Sequence, residues 1–564
     1  MTSTFHGLET ARRGMTTQQY ALHTTGNNIS NANTPGYTRQ RVNFQPTEAY
    51  PAAARNAPSM PGQIGTGVKA GSVQRVREQF LDVQYRNENN KTGYWESRTV
   101  ALEKMEDILD EPSTSGLSSQ IDRFWTSLQD LSVDPEDAGA RSVVRQRGLA
   151  VAETFNYLHD SLSTIRTDYK NEIDVTVTGL NSMIDQLNNV NKQIRETEPH
   201  GYVTNDLYDQ QDKLLDQISS IIDIQVQREK SPGMPNAAAE GAVTLSMRAP
   251  DGSMITLVNG TDAEAVRKIE VEYNASGDAV QQLHVKDKDG ADLDPPAEMG
   301  FSSFSRGELK GMVEAFGYHV DPADATSAVK GTYPDMLASI NEMAFQFATE
   351  INNIHKIGFT LPNLTGVTNL GSDFFKDNFD MTNAAKNLKL DDAILANLDN
   401  ITAAGVNKDA LTAQARSDYE TLMANSNKTQ ADYDNIRSLL ADPASFNGKA
   451  KAFSGDGSNA KRLADVKDTL LNFGGASSTV TSFYQGVIGQ MAVDTQEAAR
   501  MMDSSDALRY SVDTRRQSVS NVSLDEEMTM MIQFQHAYNA AARNITMVDE
   551  MLDKIINGMG LVGR

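Results

Sequence analysis

The chain has 564 residues, a formal charge of −24 and no cysteine. That length exceeds what one hydrophobic core supports. The charge argues against a nucleic-acid or anionic-lipid partner, and the missing thiols exclude disulfides, cysteine nucleophiles and thiolate metal sites. No run reaches the ~18 apolar residues of a membrane span. Thr2-Ser3-Thr4-Phe5-His6-Gly7 leads into a helix with no apolar signal core, so the chain is expected to be cytosolic or to leave the cell by a route that cleaves nothing.

The first predicted element is one amphipathic helix from Leu8 onward. Leu8, Met15, Leu22 and Ile29 recur every seven residues, with Ala11 and Gly26 at the half-steps; that interval keeps one narrow stripe against a partner helix. The run Asn27-Asn28-Ile29-Ser30-Asn31-Ala32-Asn33-Thr34-Pro35-Gly36-Tyr37 ends it. Pro35 disfavours helix at Thr34, and the asparagines turn and cap the backbone. Residues 38–79 read as extended chain and loops with a hairpin. Residues 1–94 hold ten Lys/Arg against five Asp/Glu, a basic end on an acidic body that would steer copies head to tail.

Helices return near Arg77. Leu102, Met105 and Leu109 make one stripe, and Leu117, Ile121, Phe124, Trp125, Leu128 and Leu131 another. No proline falls between Asp137 and Glu198, and apolar residues from Phe155 to Ile194 step by three or four. The spacing predicts a rod of roughly 90 Å. Pro199-His200-Gly201 breaks it, and Leu207, Leu214, Ile218 and Ile221 mark a shorter helix running back.

Alternation at Ile222, Ile224 and Val226 signals a change to strands. Turns at Pro250-Asp251-Gly252, Asn274-Ala275-Ser276-Gly277 and Lys288-Asp289-Gly290 predict hairpins across 241–285. Helix resumes after Pro334. Residues 360–459, rich in Asn, Asp and Ala, read as an exposed insertion with short helices at 393–401 and 411–423. Helical pattern covers 462–518. Ser523-Leu524-Asp525-Glu526 then opens a last helix as a capping box, with rows Leu524, Met531, Tyr538, Ile545, Leu552 and Phe534, Ala541, Val548, Ile555.

The nested order predicts a mainly α, multidomain protein: paired terminal helices plus an elongated helical-rod domain with a small inserted β subdomain and a variable outer insertion. The boundaries are 1–60 with 515–564 for the inner terminal-helix domain, and 61–235 with 301–360 and 460–514 for the rods. The β-hairpin insert spans 236–300 and the variable exposed insertion 361–459. The candidate assembly interface is Leu8, Met15, Leu22, Ile29, Asn27, Asn31, Pro35, Gly36 and Tyr37 at one end, and Leu524, Met531, Phe534, Tyr538, Ile545 and Leu552 at the other. Isolated terminal helices gain little order alone, so residues 1–35 and 520–564 are expected to be largely disordered in the monomer and to fold on assembly.

The Asn27–Tyr37 run resembles a pattern shared by the bacterial flagellar axial proteins, the rod, hook and junction subunits. Ser523-Leu524-Asp525-Glu526-Glu527 with Phe534-Gln535 and Tyr538 is similar to the hook-associated junction proteins in particular. So are Leu309-Lys310-Gly311, Ile351-Asn352-Asn353-Ile354-His355, Gly358-Phe359 and Phe374-Phe375, with Glu111-Pro112, Gly116-Leu117-Ser118, Asp134-Pro135 and Arg141. The resemblance implies an extracellular structural protein, exported uncleaved by the flagellar type III apparatus. It would form a ring at the distal end of the hook, with paired terminal helices as the inner tube. Its partners would be copies of itself, the hook protein, a second hook-associated junction protein and an export chaperone, with no nucleic acid and no membrane. A hook or rod subunit, and a peptidoglycan hydrolase on an axial scaffold, are the alternatives.

Other motifs carry no chemistry. Gly65–Gly71 lacks the Gly-Lys-Ser/Thr ending of a phosphate loop. Asp287–Asp292 has its glycine too early for a calcium loop. Eight scattered histidines show no two-His metal spacing. No nucleophile–base set is present, so no enzyme, metal or cofactor is expected. Met528, Met530 and Met531 read as adaptable packing.

Overall fold

The computed structural model describes residues 4–51, 55, 62–111, 113–248, 254–299, 301, 306–321, 323–324, 327–362, 368–425 and 428–558. Helix α1 (Thr4–Ser30) stops where Asn31 and Thr34 close two last turns by backbone hydrogen bonds and Pro35 supplies no N–H. An antiparallel pair follows, β1 (Gln40–Pro46) and β2 (Val68–Arg75), bulged between Asn43 and Phe44. Then come α2 (Gln79–Leu109), α3 (Leu117–Val133) and the rod α4 (Ala138–Thr197), 60 residues long. The Asp137 carboxylate caps α4 by accepting from the N–H groups of Gly139 and Ala140. Helix α5 (Asn205–Ile221) runs back along it.

The β region is wider than the predicted 236–300. β3 (Ile224–Glu229), β4 (Ala242–Arg248) and β5 (Met254–Val258) form one antiparallel sheet, so the insert starts at Ile224, directly after α5. In the second sheet β7 (Val280–Asp287) pairs with β6 (Arg267–Tyr273) on one side and β8 (Asp292–Met299) on the other. Past α6 (Glu308–Phe316) this sheet adds β9 (Tyr318–His319) and β10 (Val329–Lys330). The Asn274–Gly277 turn joins β6 to β7; the turn at Pro250-Asp251-Gly252 lies outside the described residues, as does Pro112. Asp287 caps its own turn by accepting from Asp289 and Ala291 N–H, the hairpin role expected over calcium binding.

Both sheets lie on α4, whose amides substitute for a neighbouring strand. Asn181 donates to the Ile269 carbonyl at 2.8 Å and accepts from its N–H at 2.9 Å; Asn191 does the same for Val243 at 2.8 and 3.0 Å. A strand edge thereby meets a helix without orphaned polar groups.

Helix α7 (Thr332–Lys356) leads into the stretch read as an exposed insertion, and here the structure differs. Phe374, Phe375, Leu388, Leu390, Ile394 and Ile401 are all buried. Phe374 packs so closely that a methyl group on Gly148 of α4 would lie 2.8 Å from its ring. Helix side chains hold this irregular backbone. Asn352 accepts from Phe374 and Phe375 N–H and donates to the Phe375 carbonyl, Asn341 accepts from Ala385 N–H, and Asn156 donates to the Ala385 carbonyl. The segment carries α8 (Ala384–Asn387) and α9 (Asp392–Ala396). Beyond it α10 (Ala413–Ala424) and α11 (Gln430–Ala441) form an outer helical hairpin, and α12 (Ser458–Asp465) packs on α3.

The helix predicted over 462–518 is interrupted. β11 (Leu471–Phe473) and β12 (Ala476–Ser478) make a hairpin around Gly474 and Gly475, both at positive φ, and Leu470 points outward. Helix α13 (Val480–Ser520) then runs antiparallel to α2, and α14 (Leu524–Asp553) returns to α1. The fold is mainly α, and no helix of the described residues is long and apolar enough to cross a membrane.

Candidate assembly interface at the paired termini

Helices α1 and α14 pack antiparallel along their length. The line of closest approach is made of small residues. A methyl group placed on Gly7 would lie 3.6 Å from Val548, and one on Gly14 would lie 3.9 Å from Ala541. Ala21 and Asn28 continue the seven-residue spacing and are 1% exposed. Opposite them stand Phe534 and Glu527, again at intervals of seven. Small side chains let the two axes close.

The predicted row Leu8, Met15, Leu22 and Ile29 is therefore not the centre of the seam. Each follows a seam residue by one position, about 100° around the helix, and each is half-buried, as is Gly26, while Ala11 is buried. On α14, Met531, Phe534, Tyr538, Ala541, Ile545, Val548 and Leu552 are half-buried, and Leu524 and Ile555 exposed. In an antiparallel pair, offsets of like sense fall on one side, so the two predicted leucine-led rows share a flank. The other flank is covered by β1 and β2: Thr17 donates to the Val68 carbonyl, Arg13 donates to the Thr66 carbonyl, and Phe44 meets Phe534 edge-on at 5.9 Å.

The asparagine-rich turn is a latch built on Asn28, which was not singled out from the sequence. Its amide donates to Glu527 Oε2 at 3.0 Å and to the Gln40 carbonyl at 2.8 Å. Its oxygen accepts from the Tyr37 hydroxyl at 2.8 Å and from Gln40 N–H at 3.0 Å. Arg39 donates to Glu527 at 2.7 Å and to Glu526 at 2.7 Å. Burial, helped by Asp209, Asp206 and Glu527, pushes the Tyr37 hydroxyl well above its ordinary value. Asn27 donates to the Tyr37 oxygen at 3.4 Å and Asn31 donates back to Asn27, while Pro35 and Gly36 are exposed at the tip, Gly36 with φ 86°. The capping box is only half formed. Ser523 accepts from Glu526 N–H at 3.5 Å, but the Glu526 carboxylate is taken by Arg39.

Below the latch the hairpin and α2 join the body through one buried carboxylate. Asp212 on α5 receives Arg75 at 2.8 Å, Arg77 at 3.4 Å, Arg86 at 3.0 Å and Arg228 at 2.8 Å. Burial alone would raise its pKa; Arg77, Arg228, Arg75 and Arg86 together hold it far below the carboxylate range. Neighbouring Asp209, where burial outweighs Arg75, moves up. Part of the basic excess of residues 1–94 is thus neutralised within the chain: Arg75 and Arg86 by α5 and Glu240, and Arg39 by Glu526 and Glu527. A polar cleft of about 880 Å³ opens between the Asn33–Tyr37 tip, α2, α5 and α13. Among the described residues no group of three His, Asp or Glu side chains is arranged to hold a metal.

Three family models match the chain. Residues 102–375 match the flagellar hook-associated protein FlgK helical domain, 515–558 the flagellar basal body rod FlgEFG protein C-terminal, and 8–38 the flagella basal body rod protein. The last two fall on α14 and α1. Flagellar hook-associated protein 1 of Bacillus subtilis strain 168 is 40% identical over the whole of both chains; that of Escherichia coli K12 is 23% identical, covering 98% of this chain and 99% of its own. The solved flagellar hook junction protein FlgK from Burkholderia pseudomallei shares the fold, with a TM-score of 0.55 at 15% identity over 78% of this chain and all of its own.

Proposed function

Because the chain belongs to the flagellar hook-associated protein 1 family, we propose that it is a structural subunit of the bacterial flagellum that assembles at the distal end of the hook, forming the junction on which the filament is built. One observation carries the reading. The two termini find each other, yet α14 fully buries only Glu527, so the flank bearing Leu8, Met15, Leu22, Ile29, Met531, Tyr538 and Ile545 is left for neighbouring copies. Asn27, Asn31, Pro35, Gly36 and Tyr37 shape the end of that flank.

The partners are further copies of the chain, the hook protein and a second hook-associated junction protein, after delivery by an export chaperone through the flagellar type III route without a cleaved signal peptide. The protein is not an enzyme. The terminal segments 1–60 and 515–564 form the inner layer and the rods and inserts the outer one.

A strain lacking the gene is expected to make hooks without filaments and to lose flagellin to the medium. Normal filaments on that strain would reject the assignment. Immunolabelling separates the hook or rod alternative, which the two rod-protein matches at the termini favour: one band at the junction is expected, and staining along the hook would support a hook subunit. Peptidoglycan incubated with the protein is expected to stay intact.

A further inference from the structure

The polar cleft beside the Asn33–Tyr37 tip continues along α2 and reaches α4 and α6 at its far end. Towards the tip its charges are paired: Arg516 with Asp216 and Asp513, and Arg77 with Asp82 and Asp212. At the far end three carboxylates line the cleft, Glu96 on α2, Glu172 on α4 and Glu308 on α6. Among the described residues none of the three has a side-chain hydrogen bond or an ion pair. Burial raises the half-buried Glu308 carboxyl above its ordinary value, and the charges of Glu96 and Glu172 push it further the same way with no cation to offset them.

The same wall holds a second group without a partner. Tyr169 lines the cleft and is 3% exposed, yet its hydroxyl has no hydrogen bond; buried polar side chains are nearly always paired. Lys104 lies on the face of the Tyr169 ring, its Nζ 4.7 Å from the centroid, and makes no ion pair with the three carboxylates. Val100 and Met312 add apolar surface beside them.

A ligand for this end must bring positive charge and hydrogen-bond donors. A bare metal ion does not suit it, because among the described residues no three carboxylates are arranged to hold one. A primary ammonium group carries three N–H donors on a compact charge, and its methylene stem favours apolar surface.

We propose that the Glu96–Glu172–Glu308 end of the cleft binds a primary alkylammonium group, with the carboxylates pairing with its charge, the Tyr169 oxygen accepting one N–H, and Val100 and Met312 bearing on its methylenes. The site lies apart from the α1–α14 seam and goes beyond the structural role proposed above. Free aliphatic amines and the lysine side chains of proteins both carry this group.

The full-length protein is titrated calorimetrically at neutral pH and low ionic strength with n-pentylamine, Nα-acetyl-lysine amide, n-pentyltrimethylammonium and magnesium chloride. Pentylamine is expected to bind in one-to-one ratio and to raise the melting temperature. Glu308→Gln is expected to weaken that binding about ten-fold and Tyr169→Phe about three-fold. Without amine, Glu308→Gln is expected to melt at or above the wild-type temperature, because it removes a repulsion. Pentyltrimethylammonium, with the same charge and no N–H, is expected to bind more weakly than pentylamine. No binding of pentylamine, equal affinity in wild type and Glu308→Gln, or equal affinity for the trimethyl analogue overturns the proposal. Magnesium that displaces the amine at lower concentration overturns it in favour of a metal ion. Acetyl-lysine amide binding as tightly as pentylamine supports a lysine side chain as the source; its exclusion while pentylamine binds supports a free amine. If Glu308→Gln loses helical circular dichroism, Glu96→Gln, at an exposed position, decides the question.

Discussion

Asn28 and Glu527, 499 residues apart in sequence, are hydrogen-bonded at 3.0 Å where both are buried. Glu527 is also held by Arg39, so the contact joins α1, the start of β1 and α14 at one point. Replacing Asn28 by Asp sets a second carboxylate against Glu527 in a buried place. Replacing it by Ala adds no charge but deletes its hydrogen bonds to Glu527, Tyr37 and both backbone groups of Gln40, a cost of roughly 1–3 kcal/mol for each buried partner left unpaired. Asn28→Asp is expected to loosen α14 more than Asn28→Ala, read as faster amide exchange from residue 524 onward.

The seam at Gly14 separates two kinds of substitution. Gly14→Ala places its methyl in ordinary contact with Ala541 and gains up to ~1 kcal/mol of helix propensity. Gly14→Leu forces the axes apart. The alanine variant should melt at or above the wild-type temperature and support filaments. The leucine variant should carry few filaments and swim poorly.

Asp212 is the sole carboxylate touched by Arg75, Arg77, Arg86 and Arg228 together. Asp212→Ala leaves four guanidinium groups in a buried joint with too little countercharge, and breaking one side of a buried ionic cluster costs about 3–5 kcal/mol. The urea midpoint should fall accordingly. Because the folded group is held below its ordinary value of 3.8, its contribution is present above pH 3.8 and is lost only as pH drops further towards its folded value.

His355 is fully buried between α7 and the following segment. Its Nδ1 lies 2.7 Å from the Ser372 carbonyl and its Nε2 accepts from Thr402 N–H at 3.1 Å, which requires the neutral ring. Burial pushes its pKa down to about 4 from the ordinary 6.5. The unfolded chain therefore binds the proton first, and stability falls as pH drops from about 6.5 towards 4. His355→Asn is expected to be less stable at pH 7 but to show a flatter dependence across that window in urea titrations.

Helix α14 buries one residue, whereas α4 buries seventeen. The termini of the isolated monomer are therefore expected to exchange amide protons far faster than α4. Protection at both termini equal to that of α4 would rule out folding on assembly as the source of their order.

The helices, their order and the pairing of the two ends were legible from spacing, because a stripe every three, four or seven residues is imposed by the geometry of one helix alone. The same rule misplaced the seam: Gly7, Gly14, Ala21 and Asn28 carry the period, but small and polar residues leave no apolar trace. The core role of 368–411 left no trace either, since irregular backbone has no period. Its burial depends on Asn156, Asn341, Asn352 and His355 arriving from distant helices with matching donors and acceptors. Local chemistry determined what each segment is. Only the tertiary structure decided which residues stand closest, which charges cancel at Asp212 and which apolar flanks stay open, because those depend on side chains that chain connectivity keeps hundreds of positions apart.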